Sequence, residues 1–377
     1  MKRSTERILT THTGSLPRPI DLLKAMGSQD AAHTANLDAP LKSAVAQIVR
    51  KQAEVGVDVV NDGEMSKPSY STYVKDRLTG FEGEATLMPI RDLAEFPEFA
   101  ERFTRLGVIE KLKRPACTGP VSYKDTAAVT RDIANLKAAT GGAGITEAFM
   151  SAASPGVISI FLGNHHYPSH EAYVAALADA MKAEYKAIAD AGLVLQVDCP
   201  DLAMGRHIQF PDATLAEFRS KIAMHVEALN HALDGIPPER VRIHLCWGNY
   251  EGPHHLDVPL RDIVDVIFKA KVGGISYEAS NPRHEHEWEV FEEVKLPDGK
   301  VLIPGVIDSV TNFIEHPKLV AQRICNIAKV VGRENVIAGT DCGFATVADY
   351  SPVDPKIAWA KFQSLAEGAR IATRKLW

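Results

Sequence analysis

The sequence predicts a single (β/α)8 barrel of the TIM type, spanning residues 1–377 and carrying long loop insertions. Three observations predict it. Short apolar runs rich in β-branched residues alternate with helical patterns, as right-handed crossovers onto a parallel sheet require. A chain of 377 residues is long for one domain but ordinary for such a barrel. Nearly every apolar run also ends in a side chain capable of acid–base or metal chemistry, and barrels build their sites at strand C-termini.

The elements follow in order. "RILTTHTGS" reads as a first strand, and "PLKSAVAQIVRKQAEVG" as the helix after it. "DVVNDGE" and "PACTGPVS" read as strands, as does "VISIFL" at 157–162. The helix "HEAYVAALADAMKAEYKAIADAG" leads into "LVLQVDCPD", and "TLAEFRSKIAMHVEALNHAL" into "RVRIHLCWG". "LRDIVDVIFKAKVG" precedes "GISYEAS"; then come "VLIPGVIDS", the helix "PKLVAQRICNIAKVVG" and "NVIAGTDCG". That makes nine strand candidates where eight close a barrel, so one is an excursion. A doubly wound open sheet is the alternative, but no Gly-rich phosphate loop opens a helix. The stretches from about 65 to 115 and 280 to 300 are polar and weakly periodic, and read as long loops on the barrel.

Composition narrows the partners. Hydrophobic residues make up 45% and charged ones 24%, enough for a large core in a soluble chain. The formal charge of −6 comes without a basic run, which argues against nucleic acid and membrane surfaces. The N-terminus lacks a signal-peptide apolar region. Five scattered cysteines read as reduced thiols of a cytoplasmic protein; a homo-oligomer is compatible with all of this.

Ser15 follows "THTG", Glu64 follows "NDG", and Asp198 follows "LQV". His244 and Cys246 end "RVRIHLC", Glu278 follows "GISY", Asp308 follows "PGVI", and Cys342 follows "AGTD". On a strand, positions i and i+2 share a face, so His244 and Cys246 aim at one point. That pair alone is an ordinary core feature. With Cys342 and Glu278 at other strand ends, the set suits tetrahedral zinc at a catalytic, not a structural, site. A thiolate-rich zinc is a poor source of hydroxide but deprotonates a bound substrate thiol, which points to alkyl transfer onto sulfur. Zinc hydrolysis through bound water is the competing chemistry. A non-catalytic binding protein is a further alternative.

The ordered series "GSLPRP", "DGE", "TGPV", "QVDCP", "HLC", "YEAS", "GVID" and "TDCG" resembles the cobalamin-independent methionine synthase family, from about residue 8 to 346. The likeness is to that family's catalytic barrel. It implies that His244, Cys246, Glu278 and Cys342 hold zinc, and that Ser15, Glu64 and Asp198 hold the amino-acid part of a homocysteine-like thiol. It implies a methylated folate or another methyl donor as second substrate, with Asp308 at the catalytic acidic position and Tyr123 where a pterin-stacking Trp stands. It also marks "VISIFL" as the excursion. Ser309 replaces a His associated with proton delivery, leaving that role vacant, and Tyr123 puts folate use in doubt. "THTGSLPRP" and "DGEMSKPSY" also resemble the epoxyalkane:coenzyme M transferases, which open an epoxide with a thiol. Glu64 and Asp198 favour an amino-acid thiol over a sulfonated one.

Smaller signals read more plainly. His254, His255, His284 and His286 read as solvated loop histidines, not a second metal site, though they lie where a pocket mouth would be. His165 and His166 read the same way, beside Tyr167. Trp247 reads as a pocket wall, Cys199 as core packing, and Arg18 equally as a contact for an anionic tail or a surface ion pair.

Overall fold

A computed structural model describes residues 1–26, 37–83, 90–105, 115–142, 144–348 and 350–377. Eight strands run in parallel: β1 Leu9–Thr10, β2 Val59–Val60, β3 Glu147–Ala153, β4 Val194–Asp198, β5 Val241–Leu245, β6 Gly274–Tyr277, β7 Val301–Ile307 and β8 Ile337–Thr340. Their order is β1-β8-β7-β6-β5-β4-β3-β2. The remaining seam, between β1 and β2, is bridged by the Asp58 amide to the Thr10 carbonyl (3.1 Å) and by Thr11 Oγ1 to the Val59 carbonyl (3.0 Å). Helices lie between the strands, so the fold is the expected (β/α)8 barrel.

Helices on the barrel include α1 Asp38–Glu54, α2 Ala127–Thr140, α3 Pro155–Phe161, α4 His170–Asp190, α5 Leu215–Ala232, α6 Pro317–Val331 and α7 Pro355–Leu376. Outward-facing Leu195, Val197, Ile243, Leu245 and Ile275 join the main apolar core with the helices. Inside, the lower barrel is filled by Leu9, Val301, Ile303 and Ile337, and by Val59, Phe149 and Val194, with Met1 against both groups. Above them Arg242 spans the interior. Its guanidinium donates to Gln196 Oε1 (2.8 Å), Thr11 Oγ1 (3.0 Å) and the His12 carbonyl (2.8 Å), and lies 3.6 Å from the Phe149 ring centre. A buried guanidinium is tolerated only when its donors are met in this way.

Two strand assignments need correction. "PACTGPVS" forms no barrel strand; Cys117 makes only isolated bridges to Phe81 and Asn164. The third strand is Glu147–Ala153, "EAFMSAA", whose alanines gave it no β signature. "VISIFL" is indeed outside the barrel, but as helix α3. Ser154 caps it through the Val157 amide, with Pro155 at its first turn, and these local start signals outweigh the β-branched content. Helices α2 and α7 went unread, and "LRDIVDVIFKAKVG" is helical only over Val264–Ile267 after a 3-10 turn. The 65–115 stretch carries short helices at Val74–Arg77, Arg91–Ala94 and Pro97–Arg105; residues 84–89 and 106–114 lie outside the described residues. The 280–300 stretch holds a 3-10 turn at Glu285–Glu289 and the helix Val290–Glu293. Among the described residues no helix is long and apolar enough to cross a membrane.

Candidate active site and metal centre

Register stacks the polar strand ends in layers. Gln196 pairs with Arg242, and Asp198 with His244, across β4 and β5; His244 pairs with Ser276 across β5 and β6. Because side chains alternate, Asp198, His244 and Ser276 face inward together, one layer above Gln196 and Arg242. Cys246 and Glu278 follow one layer higher. The strand pleat therefore delivers these residues to the barrel mouth, while Ser15 and Glu64 reach it from the turns after β1 and β2.

His244, Cys246 and Cys342 each offer a ligand atom within 4.8 Å of the others, and the two sulfurs are 3.8 Å apart. His244 Nδ1 meets Ser276 Oγ at 3.2 Å, while Nε2 is buried with no hydrogen-bond partner. Burial, then the Arg242 charge, pushes this imidazole down to about 3, so it is neutral and Nε2 is free to ligate. A buried orphan nitrogen beside two thiols fits a thiophilic divalent cation. The hydrogen bond from Cys342 and then burial hold the Cys246 thiol well above its usual range. Glu278 stands apart from these three. Its carboxylate accepts the Trp247 amide and the Asn281 side-chain amide, both at 2.8 Å, though it lies close enough to hydrogen-bond Cys246.

A cavity of about 30 Å³ opens onto the same atoms, lined by Ser15, Glu64, Asp198, His244, Cys246 and Cys342, with Thr13 and Gly343 among its other walls. Glu64 sits at φ 57°, an unusual backbone for a residue with a side chain. The turn holding it is over-determined: Asn61 accepts the Gly63 amide (2.8 Å) and Asp62 accepts the Glu64 amide (3.0 Å). Arg18, buried, donates to the carbonyls of Glu64, Lys67 and Ala345. It is thus neither a tail contact nor a surface ion pair, but a brace. Such local strain, about 1–3 kcal/mol, persists only where the surroundings fix it. Glu64 Oε1 is 3.7 Å from the buried Lys67 ammonium, while Oε2 has no partner. Asp198 is pushed up to about 8 by burial and then by the Glu64 charge. At position 343 an added Cβ would overlap Ser15 Oγ, so glycine is what lets Ser15 into the wall.

A second cavity, about 330 Å³, adjoins the first through Asn249, which lines both. Glu278, Asp308, Ser309, Asp341 and His254 line it. Asp308 accepts the amides of Val310 and Thr311 and the Thr311 hydroxyl, with Lys361 of α7 at 3.5 Å. Ser309 donates to Asn249 Oδ1 at 2.8 Å. Tyr123 lines neither cavity; its hydroxyl donates to Glu184, which also accepts from Tyr73 and pairs with Arg77.

Two loop histidines depart from expectation. His284 is buried and His254 nearly so, and both bond Asp257 Oδ2, at 3.0 and 2.8 Å. Trp247 is buried against the His284 ring, centroids 4.2 Å apart, and not in a cavity wall. Cys199 is core, as expected, and His165 and His166 are exposed. Reading the sequence missed Asn249, Lys67, Asp257 and Asp341. Only Asp341 carried a signal, standing beside Cys342 in "TDCG".

The family model described as "Cobalamin-independent synthase, Catalytic domain" matches residues 8–355. Methionine synthases of Thermococcus kodakarensis and Saccharolobus solfataricus are 25% identical over 373 residues and 24% over 375. Each alignment covers 97% of this chain, with 94% and 95% of the relatives. The structure of a B12-independent methionine synthase from Shewanella sp. W3-18-1, in complex with selenomethionine, superposes with a TM-score of 0.75 at 20% identity. It covers 98% of this chain and 99% of that one, a likeness of fold. With a family match running from β1 to the first residue of α7, this chain belongs to the cobalamin-independent methionine synthase family, through its catalytic domain.

Proposed function

We propose that this protein transfers an alkyl group, methyl in the leading case, to the sulfur of a small amino-acid thiol such as homocysteine. Family membership supports an enzyme of the methyl-transfer class. One observation carries the finer reading: the orphan His244 Nε2 and the sulfurs of Cys246 and Cys342 open into the cavity that Ser15, Glu64 and Asp198 also line. A thiol entering there has a charge-matched place for each of its other groups. Glu64 and Asp198 suit the ammonium, and the Ser15 hydroxyl suits the carboxylate.

His244, Cys246 and Cys342 would hold zinc, with Glu278 as fourth ligand once its carboxylate leaves the Trp247 amide or the Asn281 amide. Zinc in such a site deprotonates a bound thiol near neutral pH. This chain's residues do the rest. Glu64, held rigid by its turn, fixes the amino end, and Asp198 adds the second negative charge when it ionises. The larger cavity beyond Asn249 would admit the methyl donor, which leaves the thiol and donor on opposite sides of the metal ligands. A sulfonated thiol would set an anion against both carboxylates, so thiol addition to an epoxide is the lesser reading. Zinc hydrolysis gains nothing from an amino-acid pocket.

The test is metal analysis followed by titration of the cobalt-substituted protein with homocysteine and with coenzyme M. Stoichiometric zinc and a homocysteine-induced sulfur-to-cobalt absorption band are expected. Absence of bound metal, or a spectrum indifferent to homocysteine, would reject the reading.

A further inference from the structure

We infer that Arg242, buried beneath the inner cavity, is the positioning residue that makes this cavity selective for a thiol carrying an ammonium: it locks the Gln196 side-chain amide in the orientation that holds the Asp198 carboxylate. The inference rests on the thiol-alkylation reading and extends it to the source of the pocket's selectivity.

Arg242 lines neither cavity at the barrel mouth. It stands on β5 two residues before His244, so both point into the barrel, with the guanidinium one layer lower. Nε donates to Gln196 Oε1 (2.8 Å), Nη1 to Thr11 Oγ1 (3.0 Å) and Nη2 to the His12 carbonyl (2.8 Å). The Phe149 ring covers its face, and Thr11 passes its own hydrogen to the Val59 carbonyl. Every guanidinium nitrogen is therefore fixed in direction.

A side-chain amide can be turned either way, and its neighbours decide which. A guanidinium only donates, so Oε1 faces Arg242. Nε2 then donates to Asp198 Oδ1 at 2.8 Å and to the Thr13 carbonyl. Turned over, the amide would set its oxygen against a carboxylate and a carbonyl, and its nitrogen against the guanidinium. Arg242 excludes that arrangement.

The two carboxylates of the inner cavity are thus held by different means. Glu64 is fixed through its backbone, with its amide on Asp62 and its carbonyl on Arg18. Asp198 is the last residue of β4, and among the described residues the donor to its carboxylate is Gln196 Nε2 alone. With Oδ1 tied from below, the rest of the carboxylate is left to the cavity that Asp198 lines. Thr13, tied by the same Nε2, forms another part of that wall. A lysine in place of Arg242 would carry the charge but not the rigid fork that meets Gln196, Thr11 and His12 together.

The cobalt-substituted protein, titrated with homocysteine and with its desamino analogue, tests this. Wild type should bind homocysteine more tightly than the analogue. Arg242→Lys should weaken homocysteine about 10-fold, the low end for a hydrogen bond to a charged group, and leave the analogue's affinity and the metal content unmoved. Gln196→Glu keeps a partner for Arg242 but turns an acceptor onto Asp198, and should do the same. In an Asp198→Asn background, whose new amide can donate to the introduced carboxylate, Gln196→Glu should cause no further loss. A residue that merely braced the barrel would weaken both thiols alike, and its effects would add in the double variant. Either result overturns the inference, as does loss of metal or undiminished selectivity in both single variants. Should Arg242→Lys fail to fold, Gln196→Glu and the double variant decide. A wild type that does not distinguish the two thiols would instead refute the ammonium pocket, and this inference with it.

Discussion

The two cavities at the barrel mouth are built on opposite terms. The inner one, about 30 Å³, is walled by strand ends and keeps buried atoms without partners, Glu64 Oε2 and His244 Nε2. The outer one, about 330 Å³, is walled by the loops after β5, β6 and β7 and by Asp341 beyond β8, and its carboxylates Asp308 and Asp341 already accept backbone amides. An unmet buried polar atom costs about 1–3 kcal/mol, so the inner cavity stores an unmet demand for a cation and an ammonium. The outer cavity stores none. On the proposed reading, the thiol side is specified by charge and the donor side by shape.

The comparison breaks first at the sulfurs. Cys246→Ser and Cys342→Ser should each lose metal and activity by more than the roughly 100-fold typical of an outer-shell change. The barrel should stay folded by circular dichroism, since both thiols lie beyond the strands that build the core. Retention of stoichiometric zinc in both would end the ligand assignment. Glu64→Gln comes next. Losing a charge-assisted bond of about 1.5–3 kcal/mol should raise the homocysteine KM roughly 10- to 100-fold. An equal effect on a thiol without an amine would remove the ammonium from the argument.

Asp198→Asn sharpens the contrast through stability. A carboxyl whose folded pKa, about 8, exceeds its unfolded value binds its proton more tightly when folded. Wild type therefore loses stability as pH rises from about 4 towards that value, as Asp198 ionises beside Glu64. The Asn variant should lack this slope, melting higher than wild type at pH 9 but not at pH 5, while binding homocysteine more weakly. A parallel pH dependence in both proteins would mean that Asp198 is ionised throughout.

Legibility in the sequence followed the same divide. Asp198 and His244 could be read because a strand fixes the direction of each side chain, and Cys246 and Cys342 because they follow a strand end within two residues. Ser15 and Glu64 lie four or five residues beyond β1 and β2 and are placed by the turns there. Glu278 was readable as a strand end, but the bonds that draw it from the other three come from Asn281 and the Trp247 amide. Those contacts span loops. His254 and His284 looked solvated, and Asp257 went unnoticed, because nothing local tells that Trp247 and Glu287 will cover them. Strand β3 hid for another reason: "EAFMSAA" is buried on the barrel by its neighbours' register, while its own residues prefer helix. "PACTGPVS" had the β-branched and turn residues of a strand without partners to extend them.

The smallest expected effect lies outside both cavities. Resemblance puts Tyr123 at a donor-stacking position, but its hydroxyl donates to Glu184 within a buried group of Arg77, Tyr73 and Asp132. Tyr123→Phe keeps the ring and removes only that bond. Glu184 retains Arg77 at 3.1 Å, so no buried charge is stranded, and the loss should be near 1 kcal/mol. That corresponds to a fall in melting temperature of a few degrees or less, given the shallower response of larger domains. Donor KM should not move, because nothing in the outer wall leans on this ring. Were the donor KM to rise with no change in melting temperature, the ring would belong to the donor's path, and the outer cavity would extend past its loop walls toward the 115–123 segment.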